Sequence, residues 1–305
     1  MRKFRAASRV KHVVTTRRYG VVMASASVFL LVLGAVVRNQ FKVYSGRHAT
    51  AAAQRQPSDA LQRRYVLFEL LRPVALTNCR LERFGEPHDG GYLMCTDLLK
   101  EVEAGYSYGI SGYDQWGCDI SSRFGVLLHQ YDCYDTRQPA CPAGKTTFHA
   151  ECVGGSGEVA DGRLFNTIRN HLTKNADRSK HIVLKMDVEG AEWDSLLSAP
   201  DPLLLQIDQM AVEFHWLRDK RSRWILTETY LDVVRRLKQF FHIVHVHFNN
   251  FSCTEGLEPF PSWAYEVLFV NKRLAVVDAS RGAGGLHPLD APNAPSIADC
   301  QPSSR

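Results

Sequence analysis

The chain has no Cys-x-x-Cys pair among its eight cysteines, no internal repeat, and no charged residue between Gly20 and Val37. Without closely spaced cysteines, a zinc ribbon or zinc finger has no ligand set to build on. Without a repeat, solenoid and propeller architectures fall away. Acidic residues are missing from the first 18 positions, which hold seven basic ones (Arg2, Lys3, Arg5, Arg9, Lys11, Arg17 and Arg18). The formal charge of +5 is therefore an amino-terminal property, and the rest of the chain carries a net −2. No folded basic surface results from such a balance, so no nucleic-acid partner is expected.

The uncharged stretch explains the basic run before it. Gly20 to Val37 is mostly Val, Leu, Ala and Phe, and at helical rise it would span about 27 Å, close to the hydrocarbon thickness of an endoplasmic reticulum membrane. More cations precede it than come after it, which keeps the amino terminus cytoplasmic. The expected layout is a basic tail over 1–19, a transmembrane signal anchor over 20–37, a flexible stem over 38–58, a catalytic domain over 59–278 and a disordered tail over 279–305. This describes a single-pass type II membrane protein of the endoplasmic reticulum or Golgi with a lumenal domain. The alternative is a signal peptide, with secretion after its cleavage. All eight cysteines lie beyond the apolar stretch, an even count suited to an oxidising compartment. They allow 105 connectivities, so spacing alone names no bridge. Asn250-Phe251-Ser252 is a glycosylation sequon.

Within the domain, strand and helix patterns alternate. Strands are expected at 106–110, 126–131, 147–153, 181–186 and 208–214, with helical stretches at 164–172, 191–197 and 227–240. Two late strands, 241–248 and 265–270, come next without a helix between them, so the last should run antiparallel at or near a sheet edge. The alternation implies an α/β fold with a doubly wound parallel sheet.

The most informative segment is His181-Ile182-Val183-Leu184-Lys185-Met186-Asp187-Val188-Glu189-Gly190-Ala191-Glu192-Trp193. A buried strand ends in two carboxylates one residue apart, then a glycine, then a helix start. Ligands of open α/β sheets bind beyond the carboxyl ends of strands, which puts Asp187 and Glu189 at the site. Glu213-Phe214-His215 closes the next strand in the same way and makes His215 a candidate general base. Glu192 reads as a solvated helix position. A divalent metal on Asp187, Glu213 and His215 is conceivable, but no spacing compels it, and no metal ligands are assigned.

Two other segments complete the pattern. Gly109-Ile110-Ser111-Gly112 lies just after a strand, with small residues that let a ligand approach the backbone and leave its amides available. Asp132 ends the next strand twenty residues after Gly112, the offset of a ribose-binding acid, with Asp135 as the alternative. Upstream, Asp89-Gly90-Gly91-Tyr92 reads equally as a hairpin turn and as a site-lining element.

Lys185-Met186-Asp187-Val188-Glu189-Gly190-Ala191-Glu192 resembles the signature of FkbM-type S-adenosylmethionine-dependent methyltransferases, of the methyltransferase-like protein 24 group in particular. Asp89-Gly90-Gly91-Tyr92, Gly109-x-Ser111-Gly112 and Tyr134-Asp135-Thr136 resemble further elements of that family, with Ser111 where a glycine is common. The resemblance covers roughly residues 80 to 272. It implies a seven-stranded Rossmann-like methyltransferase sheet with an antiparallel late strand and S-adenosylmethionine as cofactor. The expected cofactor-binding residues are Gly109, Ser111, Gly112, Asp132 and Asp135. Asp187, Glu189 and His215 then serve transfer of a methyl group to a hydroxyl of a small-molecule or glycan acceptor. The competing expectations are a type II Golgi glycosyltransferase, with Asp187 and Glu189 holding a metal, and a catalytically silent methyltransferase fold used for binding.

Overall fold

The computed structural model describes residues 57–215, 223–281 and 287–300. Among them no helix is long and apolar enough to cross a membrane. The anchor expected at 20–37, the basic tail before it and nearly all of the expected stem lie outside the described residues.

Helix α1 (Pro57–Leu70) is followed by a hairpin of β1 (Leu81–Gly85) and β2 (Gly91–Cys95). Strand β3 (Ala104–Tyr108), α2 (Gln115–Phe124), β4 (Leu127–Tyr131) and β5 (Lys145–His149) then begin the main sheet. A small sheet of β6 (Cys152–Val153), β7 (Glu158–Ala160) and β8 (Arg163–Asn166) leads into α3 (Ile168–Lys174). After it come β9 (Ile182–Met186), α4 (Glu192–Ser198), α5 (Asp201–Gln206), β10 (Ile207–Phe214), α6 (Arg223–Phe240), β11 (Phe241–Phe248) and β12 (Tyr265–Asn271).

Seven strands form one sheet in the order β11-β12-β10-β9-β3-β4-β5. Neighbours from β10 through β5 pair in parallel, and β12 runs antiparallel to both β10 and β11. The fold is thus a mixed α/β architecture on a mostly parallel seven-stranded sheet, compatible with a Rossmann-like fold, and the late strand lies one position in from the edge. Strands β3, β9 and β10 are buried along their whole length, as near-continuous apolar runs in a sheet covered on both faces require. Helices α1 and α3 to α6 pack one face through residues such as Leu67, Leu172, Leu196, Leu204 and Leu237. The other face is covered by α2 and the β1–β2 hairpin through Trp116, Ile120, Phe84 and Met94.

Two local expectations shift. Residues 164–172 are not one helix: 163–166 extend as β8, and Thr167 caps α3 by accepting a hydrogen bond from the Asn170 amide. Residues 147–153 split between β5 and β6.

All eight cysteines pair, as Cys79–Cys95, Cys118–Cys141, Cys133–Cys152 and Cys253–Cys300. Four bridges suit an oxidising environment, lumenal or secreted. The last bridge bears on the tail expected to be disordered. Residues 287–300 instead lie along β11 and the 249–253 loop. Asp290 pairs with His245 at 2.8 Å, Asn293 Nδ2 donates to Glu266 Oε1 at 2.8 Å, and Asn250 Nδ2 donates to the carbonyls of Ala294 and Ile297. Composition suggests a free tail because prolines and small residues build no core; a covalent tether and polar contacts hold this one. Asn250 is 2% exposed, so its sequon is covered by the strap.

Candidate active site

The carboxyl ends of β3, β4, β9 and β10 converge. After β9 the chain turns through Asp187-Val188-Glu189-Gly190, and Glu189 takes a left-handed φ of 54°. Asp187 Oδ2 accepts from Lys185 Nζ at 3.3 Å and from the Tyr92 hydroxyl at 3.3 Å, while Oδ1 faces His215 Nε2 at 3.7 Å. Lys185 lies in the buried strand and also donates to the Gly109 carbonyl at 2.7 Å, which ties the β9 end to the β3 end. Tyr92 keeps its proton: burial and the nearby carboxylates of Asp187 and Glu213 hold its hydroxyl well above the usual range. The Asp89-Gly90-Gly91-Tyr92 segment closes the β1–β2 hairpin and brings the Tyr92 hydroxyl to Asp187.

His215, at the end of β10, is surrounded by carboxylates. Its Nε2 is 3.7 Å from Glu213 Oε1 and 3.9 Å from Glu189 Oε2, and its Nδ1 is 3.3 Å from Glu192 Oε1. Glu192 is not a solvated helix position: it is fully buried, accepting from the His215 amide at 2.6 Å and the Gly190 amide at 2.8 Å. It locks the start of α4 to the end of β10 and orients the imidazole. Trp193 adds a second tie, its Nε1 donating to the His215 carbonyl at 3.0 Å. Burial alone would depress the His215 pKa, but the carboxylates of Glu192, Glu213 and Asp187 outweigh it and raise it well above the ordinary value. Glu213 is pushed up to about 8 by burial and then by the Asp187 charge, while Asn249 Nδ2 donates to its Oε1 at 2.7 Å. The side chains of Asp187, Glu213 and His215 offer ligand atoms within 4.8 Å of one another, a convergence that spacing in the chain does not reveal.

The turn after β3 is built from left-handed residues: Gly109 at φ 73°, Ser111 at 47° and Gly112 at 74°. Ser111 fills the place of a glycine but takes a glycine's conformation. Three amides of the turn are engaged within the fold, where the sequence suggests that they are available. Gly109 N donates to the Tyr131 carbonyl at 3.0 Å, and Ile110 N and Ser111 N donate to Asp132 Oδ2 at 3.0 and 2.7 Å. Asp132 Oδ1 accepts from the Tyr134 and Asp135 amides at 2.8 and 3.0 Å. With four backbone donors on its carboxylate, Asp132 is a brace between two turns, and its lone pairs are committed. Asp135 is the acid that faces the turn: its Oδ2 lies 2.9 Å from where a Cβ at Gly112 would stand. Arg137 holds its carboxylate down to about 2 through hydrogen bonds and charge.

Of the predicted residues, Asp187 and His215 come together with Glu189 beside them, and the turn of Gly109, Ser111 and Gly112 meets Asp132 and Asp135 from the turn after β4. The β11 histidines His245 and His247 lie apart from both groups and face Asp290 and Asn293 of the carboxyl-terminal segment. The sequence does not single out Lys185, Glu192 and Asn249 as chemical members of the site. A lysine inside an otherwise apolar strand is the one readable signal among them. The sequence matches no protein-family model and has no significant match among curated proteins.

Proposed function

We propose that the chain is an S-adenosylmethionine-dependent methyltransferase acting on a hydroxyl oxygen. One observation carries the reading: the small-residue turn after β3 and the acidic turn after β9 are in backbone contact. The Asp187 amide donates to the Tyr108 carbonyl at 3.1 Å, and Lys185 joins Gly109 to Asp187. A cofactor seated on Gly109–Gly112, with Asp135 toward its ribose, would carry its methyl group to the Asp187 side of the cleft. The parallel sheet with one antiparallel late strand supports the same reading.

Methyl transfer forms an oxygen–carbon bond as the carbon–sulfur bond of the sulfonium breaks, with release of the neutral thioether S-adenosylhomocysteine. The acceptor hydroxyl loses its proton as it attacks. Asp187 is the carboxylate best placed to take it, being only partly buried. His215, held by Glu192, lies beside it to share the charge. On this reading residues 20–37 anchor the enzyme in type II orientation, and the acceptor is a small molecule or glycan of the secretory pathway.

Asp187 and Glu189 as a glycosyltransferase's metal pair have less support, because the Glu189 side chain is 72% exposed and lies beside the converging group rather than in it. Calorimetric titration of the purified protein separates the readings. Saturable binding of S-adenosylmethionine, competed by S-adenosylhomocysteine and absent with a UDP-sugar plus Mn²⁺, is expected. Binding of the UDP-sugar alone would transfer the case to the glycosyltransferase, and binding of neither would leave the silent fold.

A further inference from the structure

Asp187 and Glu213–His215 sit at the ends of adjacent parallel strands, where β9 and β10 release their side chains into the same space. We infer that Asp187, Glu213 and His215 form a binding site for one divalent cation of the Mn²⁺ or Zn²⁺ kind. Three independent features of the geometry point there.

The first is spacing. His215 Nε2 stands 3.7 Å from Asp187 Oδ1 and 3.7 Å from Glu213 Oε1. Two ligands bound to one ion at about 2.0–2.2 Å each lie about 3–4 Å apart, so this is the separation of groups that share an ion.

The second is orientation. His215 and Asp187 are each held from outside on one atom so that the other points inward. Glu192 takes the Nδ1 edge of His215, and metal-binding histidines are ordinarily steered by such a carboxylate on the other ring nitrogen. Lys185 and Tyr92 take Oδ2 of Asp187, which turns Oδ1 toward His215. For Glu213 the hold is on the inward oxygen itself: Asn249 Nδ2 donates to Oε1, the atom that faces His215, and so fixes its position. Glu192 is fully buried and Glu213 is 3% exposed, so the carboxylates that frame the ring are part of the core and not a solvated acidic surface.

The third is the donor set. One imidazole and two carboxylates suit borderline first-row cations better than Ca²⁺ or Mg²⁺, which prefer all-oxygen shells. The inference needs no cofactor in the neighbouring turn, although it shares Asp187 with the methyl-transfer reading, in which that carboxylate takes the acceptor proton.

The test is titration of the full-length protein, stripped with a chelator, with Mn²⁺ and separately with Zn²⁺, by calorimetry and, for Mn²⁺, by electron paramagnetic resonance. One ion per chain is expected. Asp187→Asn and Glu213→Gln should each weaken binding by about 100-fold or more, and Glu192→Gln by roughly 10- to 100-fold through the loss of orientation. Glu189→Gln should weaken binding less than either ligand variant, because its side chain is 72% exposed and lies outside the converging group. Circular dichroism identifies any variant that fails to fold, and the wild-type titration stands without the variants. No binding of either ion by the wild type would overturn the site. So would binding that survives both Asp187→Asn and Glu213→Gln in folded protein. Because S-adenosylmethionine is titrated separately, loss of one result leaves the other readable.

Discussion

Gly109 and Asp187 are in backbone contact: a Cβ added to Gly109 would stand 1.6 Å from the Asp187 carbonyl oxygen. The turn after β3 can approach the turn after β9 only because residue 109 has no side chain. Gly109→Ala combines that clash with a left-handed φ of 73° and should destabilise the fold by more than about 3 kcal/mol. Gly90→Ala is the comparison, since φ is 78° but nothing lies within 4 Å of the added Cβ; its cost should be about 1–2 kcal/mol. Denaturant midpoints of the two variants measure the difference, and equal shifts would remove the close approach as the reason for Gly109.

Asp132 and Asp135 should separate structure from binding. Asp132→Ala strips an acceptor from four backbone amides and should cost about 3–5 kcal/mol. Asp135→Ala should leave the unfolding midpoint nearly unchanged, because its partner Arg137 is solvent-exposed. It should nevertheless weaken S-adenosylmethionine binding by about 10-fold or more, the worth of a charged hydrogen bond to a ribose hydroxyl. Calorimetry on the folded Asp135 variant decides whether this acid faces a ligand.

His129, buried among Tyr106, His149 and Asp177, has its pKa pushed down to about 4, mainly by burial. Between pH 6.5 and 4 the unfolded chain therefore binds a proton at this position that the folded chain refuses, and this contribution to stability falls as pH falls. Glu213, pushed up to about 8, works in the opposite sense between pH 8 and its unfolded value near 4.5, so total stability mixes the two. His129→Gln isolates the histidine. Relative to wild type, the variant should gain on the order of 1–3 kcal/mol as pH is lowered from 7 to 4, read from denaturant midpoints. A constant difference across that range would refute the burial account.

The Cys253–Cys300 bridge closes a separation of 47 residues, worth about 4 kcal/mol on the loop-entropy estimate. Replacing both cysteines with serine should lower stability by a comparable amount under oxidising conditions, and variant and wild type should unfold alike once all four bridges are reduced. It should also uncover Asn250. In secretory expression the wild type is expected to show no glycosidase-sensitive band shift at this sequon, and the double variant is expected to gain one. A glycan on Asn250 in the disulfide-intact protein would contradict the covered position of its amide.

Much of the site is legible in the sequence because strand ends have a local signature. Ile182 to Met186 is a mostly apolar run, and the chain must leave the sheet where that run stops, so Asp187 and Glu189 can be assigned to the cleft from their order alone. The same logic reaches His215 and the Gly109 turn. It fails for Glu192, because helical position predicts exposure only if no strand end packs on the helix start, and the carboxyl end of β10 does. Asp132 does stand at the end of β4, but its offset from Gly112 says nothing about which amides fold back onto it. The strap of residues 287–300 escapes a reading from composition, which reports on core-building capacity, whereas a disulfide and buried polar contacts hold it.

By itself the sequence determined the alternation of strands and helices, the antiparallel last strand and the location of acidic and small residues at strand ends, since periodicity and turn chemistry act over a few residues. The tertiary structure alone decided which cysteines pair, that Asp132 serves the backbone while Asp135 lies against Gly112, and that Asp187, Glu213 and His215 share one space. These depend on which strands become neighbours, and β3, β9 and β10 are brought side by side by burial of the whole sheet rather than by any local preference.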